Sequence, residues 1–120
     1  MSQKKSACVV HEWGSILVLH RRDPKKWEFA VSKEGTEQGA ISAAKALMSI
    51  DLAVKKKLLE TDTLVLYQAE VKDGIPKPTD EKAFDRIRYI EIPILWKKPD
   101  ELSPEVRALL DALKQKKVQF

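Results

Sequence analysis

Two short apolar runs, ACVVH at residues 7–11 and SILVLH at 15–20, flank Trp13-Gly14. Runs of this length broken at a glycine predict two strands joined by a hairpin or a bend. Asp23-Pro24 marks a turn, and Trp27 to Val31 resumes as a short strand. From Gly39 to Asp51 the period changes. Ile41, Ala44, Met48 and Asp51 fall on one side of a helix, and Ala40, Ala43 and Leu47 on another. Such wide apolar coverage predicts a helix buried on more than one face, or covered by a partner. Residues 63–72 (TLVLYQAEVK) read as the clearest long strand, and Asp73-Gly74, Pro76 and Pro78 as a loop running through Glu81. Residues 86–92 (RIRYIEI) form a further strand closed by Pro93. A final helix is well marked. Ser103 can cap it, Pro104 suits its first position and Glu105 its positive end. Val106, Leu109, Leu110 and Leu113 then follow at i, i+3, i+4 and i+7, one apolar stripe that should lie across the sheet.

Length and composition narrow the classes. A chain of 120 residues, 43% apolar and 33% charged, predicts one globular domain over 1–120 and is too apolar for disorder. No run approaches the roughly 18 apolar residues of a membrane span, and MSQKKSACVV lacks the long apolar segment of a secretory signal. The expectation is therefore a cytoplasmic protein with no membrane partner. The single Cys8 cannot close an internal disulfide and reads as a packed strand residue beside Val9 and Val10. His11, His20 and Cys8 lack the spacing of a zinc site, and neither a P-loop nor a G-x-S-x-G motif occurs. Net charge is +4, with basic clusters such as Arg21-Arg22, Lys55-Lys56-Lys57 and Lys114 to Lys117. These permit a polyanionic partner and equally suit a solvated surface. Trp13, Trp27 and Trp96 are candidates for stacking on a base, or for packing at the core and its rim.

In the order and spacing of these elements the chain resembles the Nudix hydrolase family over most of its length. The family's box, G-x5-E-x7-R-E-U-x-E-E-x-G-U with U apolar, lies on a strand, loop and helix. Laid on this chain without a gap it runs from Ser32 to Val54. Trp27-Glu28-Phe29 matches the lead-in, Ala43-Ala44 an alanine pair common early in the helix, and Met48 and Val54 two apolar positions. The resemblance implies an α/β (α+β) sandwich with a mixed sheet, a central box helix and a C-terminal helix. The chemical positions depart from the pattern. Ser32 replaces the opening glycine, Gln38 the first glutamate, Ala46-Leu47 the Arg-Glu pair, Ile50-Asp51 the Glu-Glu pair and Ala53 the late glycine. Asp51 alone keeps a carboxylate at a box position.

Nudix enzymes cleave nucleoside diphosphates linked to another moiety, using Mg2+ or Mn2+. Hard divalent cations need several carboxylate oxygens, and acids three or four apart on a helix share a face. Here Leu47 and Ile50 would take that face, so it is expected to be covered by the loop at 31–38 or by another chain. The resemblance then implies a catalytically degenerate Nudix-fold domain with no catalytic residue, no metal site and no cofactor. It would act as a nucleotide- or RNA-binding or protein-interaction subunit, alone or as a homo-oligomer or part of a larger assembly. Arg21, Arg22, Trp27, Lys33, Arg86 and Arg88 are the candidate contacts to a ligand or its phosphates. Two alternatives stand beside this reading. One is a hydrolase holding Mg2+ or Mn2+ with an unusual set drawn from Glu28, Glu34, Glu37, Asp51 and Glu81. The other is a purely structural subunit of a ribonucleoprotein or protein assembly.

Overall fold

A computed structural model describes residues 4–120. Strands β1 (Lys5–Glu12) and β2 (Ser15–Arg21) form the expected hairpin, with His11 opposite Ile16. The Trp27 to Val31 segment is broken into β3 (Lys26–Glu28) and β4 (Val31–Ser32), which pair with β2 and β1 respectively. Helix α1 (Glu37–Met48) follows, then β5 (Asp51–Glu60), β6 (Leu64–Asp73) and β7 (Phe84–Glu91). A short α2 (Ile92–Trp96) and a 3-10 turn (Pro99–Glu101) lead into α3 (Pro104–Lys114). β1 runs parallel to β6 and antiparallel to its other neighbours, so the sheet is mixed.

Alternation along the central strands feeds two cores. Ala7, Val9, Ile16, Val18, Leu64 and Leu66 face the side where α3 brings Val106, Leu109 and Leu110. Cys8, Val10, Leu17, Leu19, Val65 and Tyr67 face the other side, against Ala40, Ala44 and Met48 of α1. A strand covered on both faces has few positions for a polar side chain, hence the near-continuous apolar runs. α3 starts where the sequence places it, with the Ser103 hydroxyl accepting from the Val106 N–H at 3.3 Å.

The stretch after α1 differs from the expected helix over residues 39–51. Ser49 adopts the left-handed conformation (φ 61°) and ends the helix. Ile50 is a buried loop residue and Asp51 opens β5. β5 was masked in the sequence by Lys55-Lys56-Lys57, which has no apolar alternation. Among the described residues β5 pairs with β6 alone. Lysines and register shifts on such an outer strand discourage pairing with another chain.

Candidate functional site

The loop entering α1 is the polar part of the expected box. Thr36 caps the helix, its hydroxyl accepting from the Gly39 N–H at 3.0 Å. The Ser32 hydroxyl accepts from the Glu34 N–H at 3.0 Å, which curls residues 32–34 back over the helix start. Gly39 makes this possible, since a Cβ there would lie 2.8 Å from the Ser32 Oγ. The result is an open depression of about 380 Å³ lined by Ser32, Lys33, Glu34, Gln38, Gly39, Ser42 and Ala43.

The other half of the helix is closed. The Lys77 N–H donates to the Met48 carbonyl (2.9 Å), the Thr79 N–H to the Leu47 carbonyl (3.2 Å), and the Thr79 hydroxyl to the Ala46 carbonyl. These are the acceptors that a helix end leaves without partners. The loop that covers this end is therefore the 74–80 loop, in place of the loop at 31–38. Nor do Leu47 and Ile50 share a helical face. Leu47 is half-buried on α1, while Ile50 lies beyond the helix end, 1% exposed, beneath Gly74.

The helix end also moves the box. A left-handed residue just after a helix is the position that favours glycine, and here it is Ser49. Setting the box's late glycine on Ser49 shifts the pattern by four residues. Glu34 then takes the first glutamate position, Ser42-Ala43 the Arg-Glu pair and Ala46-Leu47 the Glu-Glu pair. Buried Ala44 and Ile50 fill the two apolar positions, and Glu28 stands at the opening glycine. This register keeps one acid in the loop, and its three glutamate positions on the helix are apolar. α1 carries a single acid, Glu37, in its first turn.

The candidate phosphate contacts do not converge. Arg21 is held by Glu28 through two hydrogen bonds (2.6 and 3.0 Å), with its guanidinium 4.7 Å from the Phe84 ring. The Glu28 partnership pushes the Arg21 pKa upward and occupies the acid that the hydrolase alternative would need. The Arg22 Nε–H donates to the Glu81 carbonyl at 2.8 Å and so ties down the loop before β7. Arg86 and Arg88 pair with His20 and Val18 on β2, on the α3 side of the sheet. Arg21 faces Phe84, in the core on the α1 side. Trp27 is buried, with the Arg86 guanidinium 5.6 Å from its ring on one side and His20 at 4.6 Å on another. Of the candidate cations, Lys33 lines the depression.

Metal ligation fits no better. Asp51 lies 3.4 Å from Lys45, and among the described residues no three of His, Cys, Asp and Glu cluster so as to hold a metal ion. The donor set therefore does not match a hard divalent cation. Lys55, Lys56 and Lys57 each have a partner within the chain, Glu70 (3.2 Å), the Gln119 carbonyl (2.8 Å) and Glu60 (2.8 Å). Cys8 is buried, and its thiol is pushed up to about 12 by desolvation, with the Glu37 charge adding to it. It is a packing residue at neutral pH.

One polar constellation has no counterpart in the sequence reading. The register slips between His20 and Arg21, leaving Asp85 between the partners Phe84 and Arg86. The bulge turns the Asp85 carboxylate onto buried His20, Nδ1 to Oδ1 at 2.7 Å. This bond holds the Asp85 pKa below its ordinary value. The available signal was a lone histidine closing the apolar run SILVLH, which demands a buried partner.

Comparison with solved structures now places the architecture. The chain superposes on the MutT Nudix hydrolase from Burkholderia pseudomallei with a TM-score of 0.74 at 15% identity, covering 92% of this chain and 97% of that one. The chain has the Nudix fold. A Nudix hydrolase from Nitrosomonas europaea gives a TM-score of 0.76 at 10% identity, over 98% and 92% of the two chains. The E. coli ORF135 protein gives 0.69 at 20% identity, over 96% and 91%. No family model and no curated protein sequence matches the chain. Among the described residues no helix of this Nudix fold is long and apolar enough to cross a membrane.

Proposed function

We propose that this Nudix-fold chain has lost metal-dependent hydrolysis of the family type and acts as a non-enzymatic binding subunit. Its ligand site is the depression at the loop-to-α1 junction, and the ligand class is a nucleotide. The observation that carries the reading is the composition of α1. In the register set by the helix end, the glutamate positions on α1 are Ala43, Ala46 and Leu47, which supply no carboxylate to hold a metal that could polarise a phosphoryl oxygen or activate water. The open part of the site is polar. Lys33 supplies a positive charge beside the Glu34 carboxylate, and Ser32, Gln38 and Ser42 supply hydrogen bonds. The hydrolase alternative is weaker because its acids are dispersed. Glu34 lines the depression, while Glu28 is held by Arg21 and Asp51 lies beside Lys45.

The test pairs turnover with binding. Nucleoside diphosphate derivatives are incubated with Mg2+ or Mn2+, and binding of the same compounds is followed calorimetrically. The expected outcome is binding without turnover, weakened about tenfold by Lys33→Glu. A metal-dependent rate abolished by Glu34→Gln would overturn the loss of catalysis. Absence of binding at millimolar ligand would overturn the assignment of the depression.

A further inference from the structure

The β1–β2 turn carries a side chain that its backbone disfavours. Trp13 is 98% exposed. Its φ is +52°, followed by Gly14 at +77°. Two-residue turns of this kind take Asn-Gly or Asp-Gly, because a short polar side chain tolerates the left-handed region. Tryptophan gains nothing from the turn, and in the single chain it contributes no buried area. Glu12 and Glu91, the residues paired with Ser15 at the turn, leave this tip acidic. Neither has an ion pair within 4.0 Å among the described residues.

A groove lined by both apolar and charged side chains lies on the segment that leads away from this turn. The Ile92 N–H donates to the Gly14 carbonyl at 3.1 Å, so α2 begins against the turn. Four of the five exposed large hydrophobics, Trp13, Tyr89, Ile94 and Trp96, come from the turn or from residues 89–96. Between α2, the 3-10 turn and α3, residues Trp96, Pro99, Leu102 and Leu110 wall a groove of about 250 Å³. The Trp96 indole N–H donates to the Leu110 carbonyl at 3.4 Å, which fixes its ring. Arg107 and Lys114 line the groove, with Asp111 between them, so its rim is net positive. Neither cation has an ion pair within 4.0 Å among the described residues.

We propose that the occupant of this groove is Trp13 of a second copy of the chain. The knob is aromatic with an acidic collar, and the hole offers the part-exposed Trp96 ring and Pro99 beside a basic rim. Each copy carries one of each. Reciprocal insertion across a two-fold axis would satisfy both and close the assembly at a dimer. Glu12 of one copy would face Arg107 and Lys114 of the other. Buried tryptophan and arginine commonly dominate such contacts, and the collar charges would select the register.

Sedimentation velocity of the full chain over a concentration series tests this. The expected species is a dimer, and its Trp13 emission shifts to the blue as the ring leaves water. Trp13→Asn creates the favoured Asn-Gly turn, so the variant should fold with an equal or higher melting temperature. Its dimer affinity should nevertheless drop by roughly 30-fold or more, the scale of a hot-spot residue. Glu12→Arg and Arg107→Glu should each weaken the dimer, and together restore it. A chain monomeric at every concentration, a dimer unaffected by Trp13→Asn, or open-ended larger species would overturn the arrangement.

Discussion

The end of α1 makes a prediction that separates two adjacent aliphatic side chains. Ile50 is 1% exposed in the core formed by α1, β1 and β6, with the Gly74 backbone packed over it. Replacing it with glutamate removes a buried aliphatic group worth about 1.5–3 kcal/mol. It also places a carboxylate within an apolar cluster, a further cost of several kcal/mol. Together this is on the order of 5 kcal/mol, comparable with the 5–15 kcal/mol that stabilise an ordinary domain. Leu47 is half-buried at the helix surface, where a glutamate can turn its charge to solvent, so Leu47→Glu should cost about 1 kcal/mol. At several degrees per kcal/mol, Ile50→Glu should be unfolded or melt about 20 °C or more below the parent, and Leu47→Glu within about 5 °C of it. Thermal melts and urea midpoints followed by circular dichroism read both. Equal losses from the two changes would restore a common helical face and refute the early helix end. A cooperative Ile50→Glu variant melting near the parent would refute the burial.

Ser49→Gly should raise the urea midpoint, since glycine removes a left-handed strain of about 1–2 kcal/mol, offset in part by its unfolded-state entropy; a lower midpoint would contradict the cap. His11 stacks on Phe120 at 3.9 Å, and burial lowers its pKa from 6.5. The unfolded chain therefore binds the proton more readily, so this contribution is complete above pH 6.5 and is lost as pH falls through the folded value. His11→Phe keeps the stack and should flatten stability against pH below 6.5, and an unchanged slope would remove His11 as its source.

The elements legible in the sequence are those whose signals are local. The hairpin at Gly14 and the strands over residues 63–72 and 86–92 appear within a residue or two of their expected ends, because apolar runs and turn residues mark them directly. Ser103-Pro104-Glu105 fixes the start of α3 through its cap. The helix after residue 39 was legible from its apolar period, but its end at Met48 was not. Ile50 satisfies a helical period and a strand approach equally, and Ser49 gives no glycine to announce the break. The left-handed conformation at Ser49 is held by the fold, where the 74–80 loop takes the last helix carbonyls. The Asp85 bulge is likewise a property of strand pairing, since nothing near residue 85 in the sequence points to His20.

The same loop explains why the candidate site is confined to one end of α1. Once Lys77 and Thr79 satisfy the carbonyls of residues 46–48, the C-terminal half of the helix is committed to the fold. An acid restored at Ala46 or Leu47 would project beside this loop, whereas one at Ala43 would enter the depression with Glu34. Regaining a cation site would thus need Ala43, Ala46 and Leu47 to change together and the 74–80 loop to give way. The depression at the other end of α1 needs no such rearrangement to stay open, since residues 32–34 and the capped first turn already shape it. That asymmetry supports the proposed binding at the loop-to-helix junction over hydrolysis.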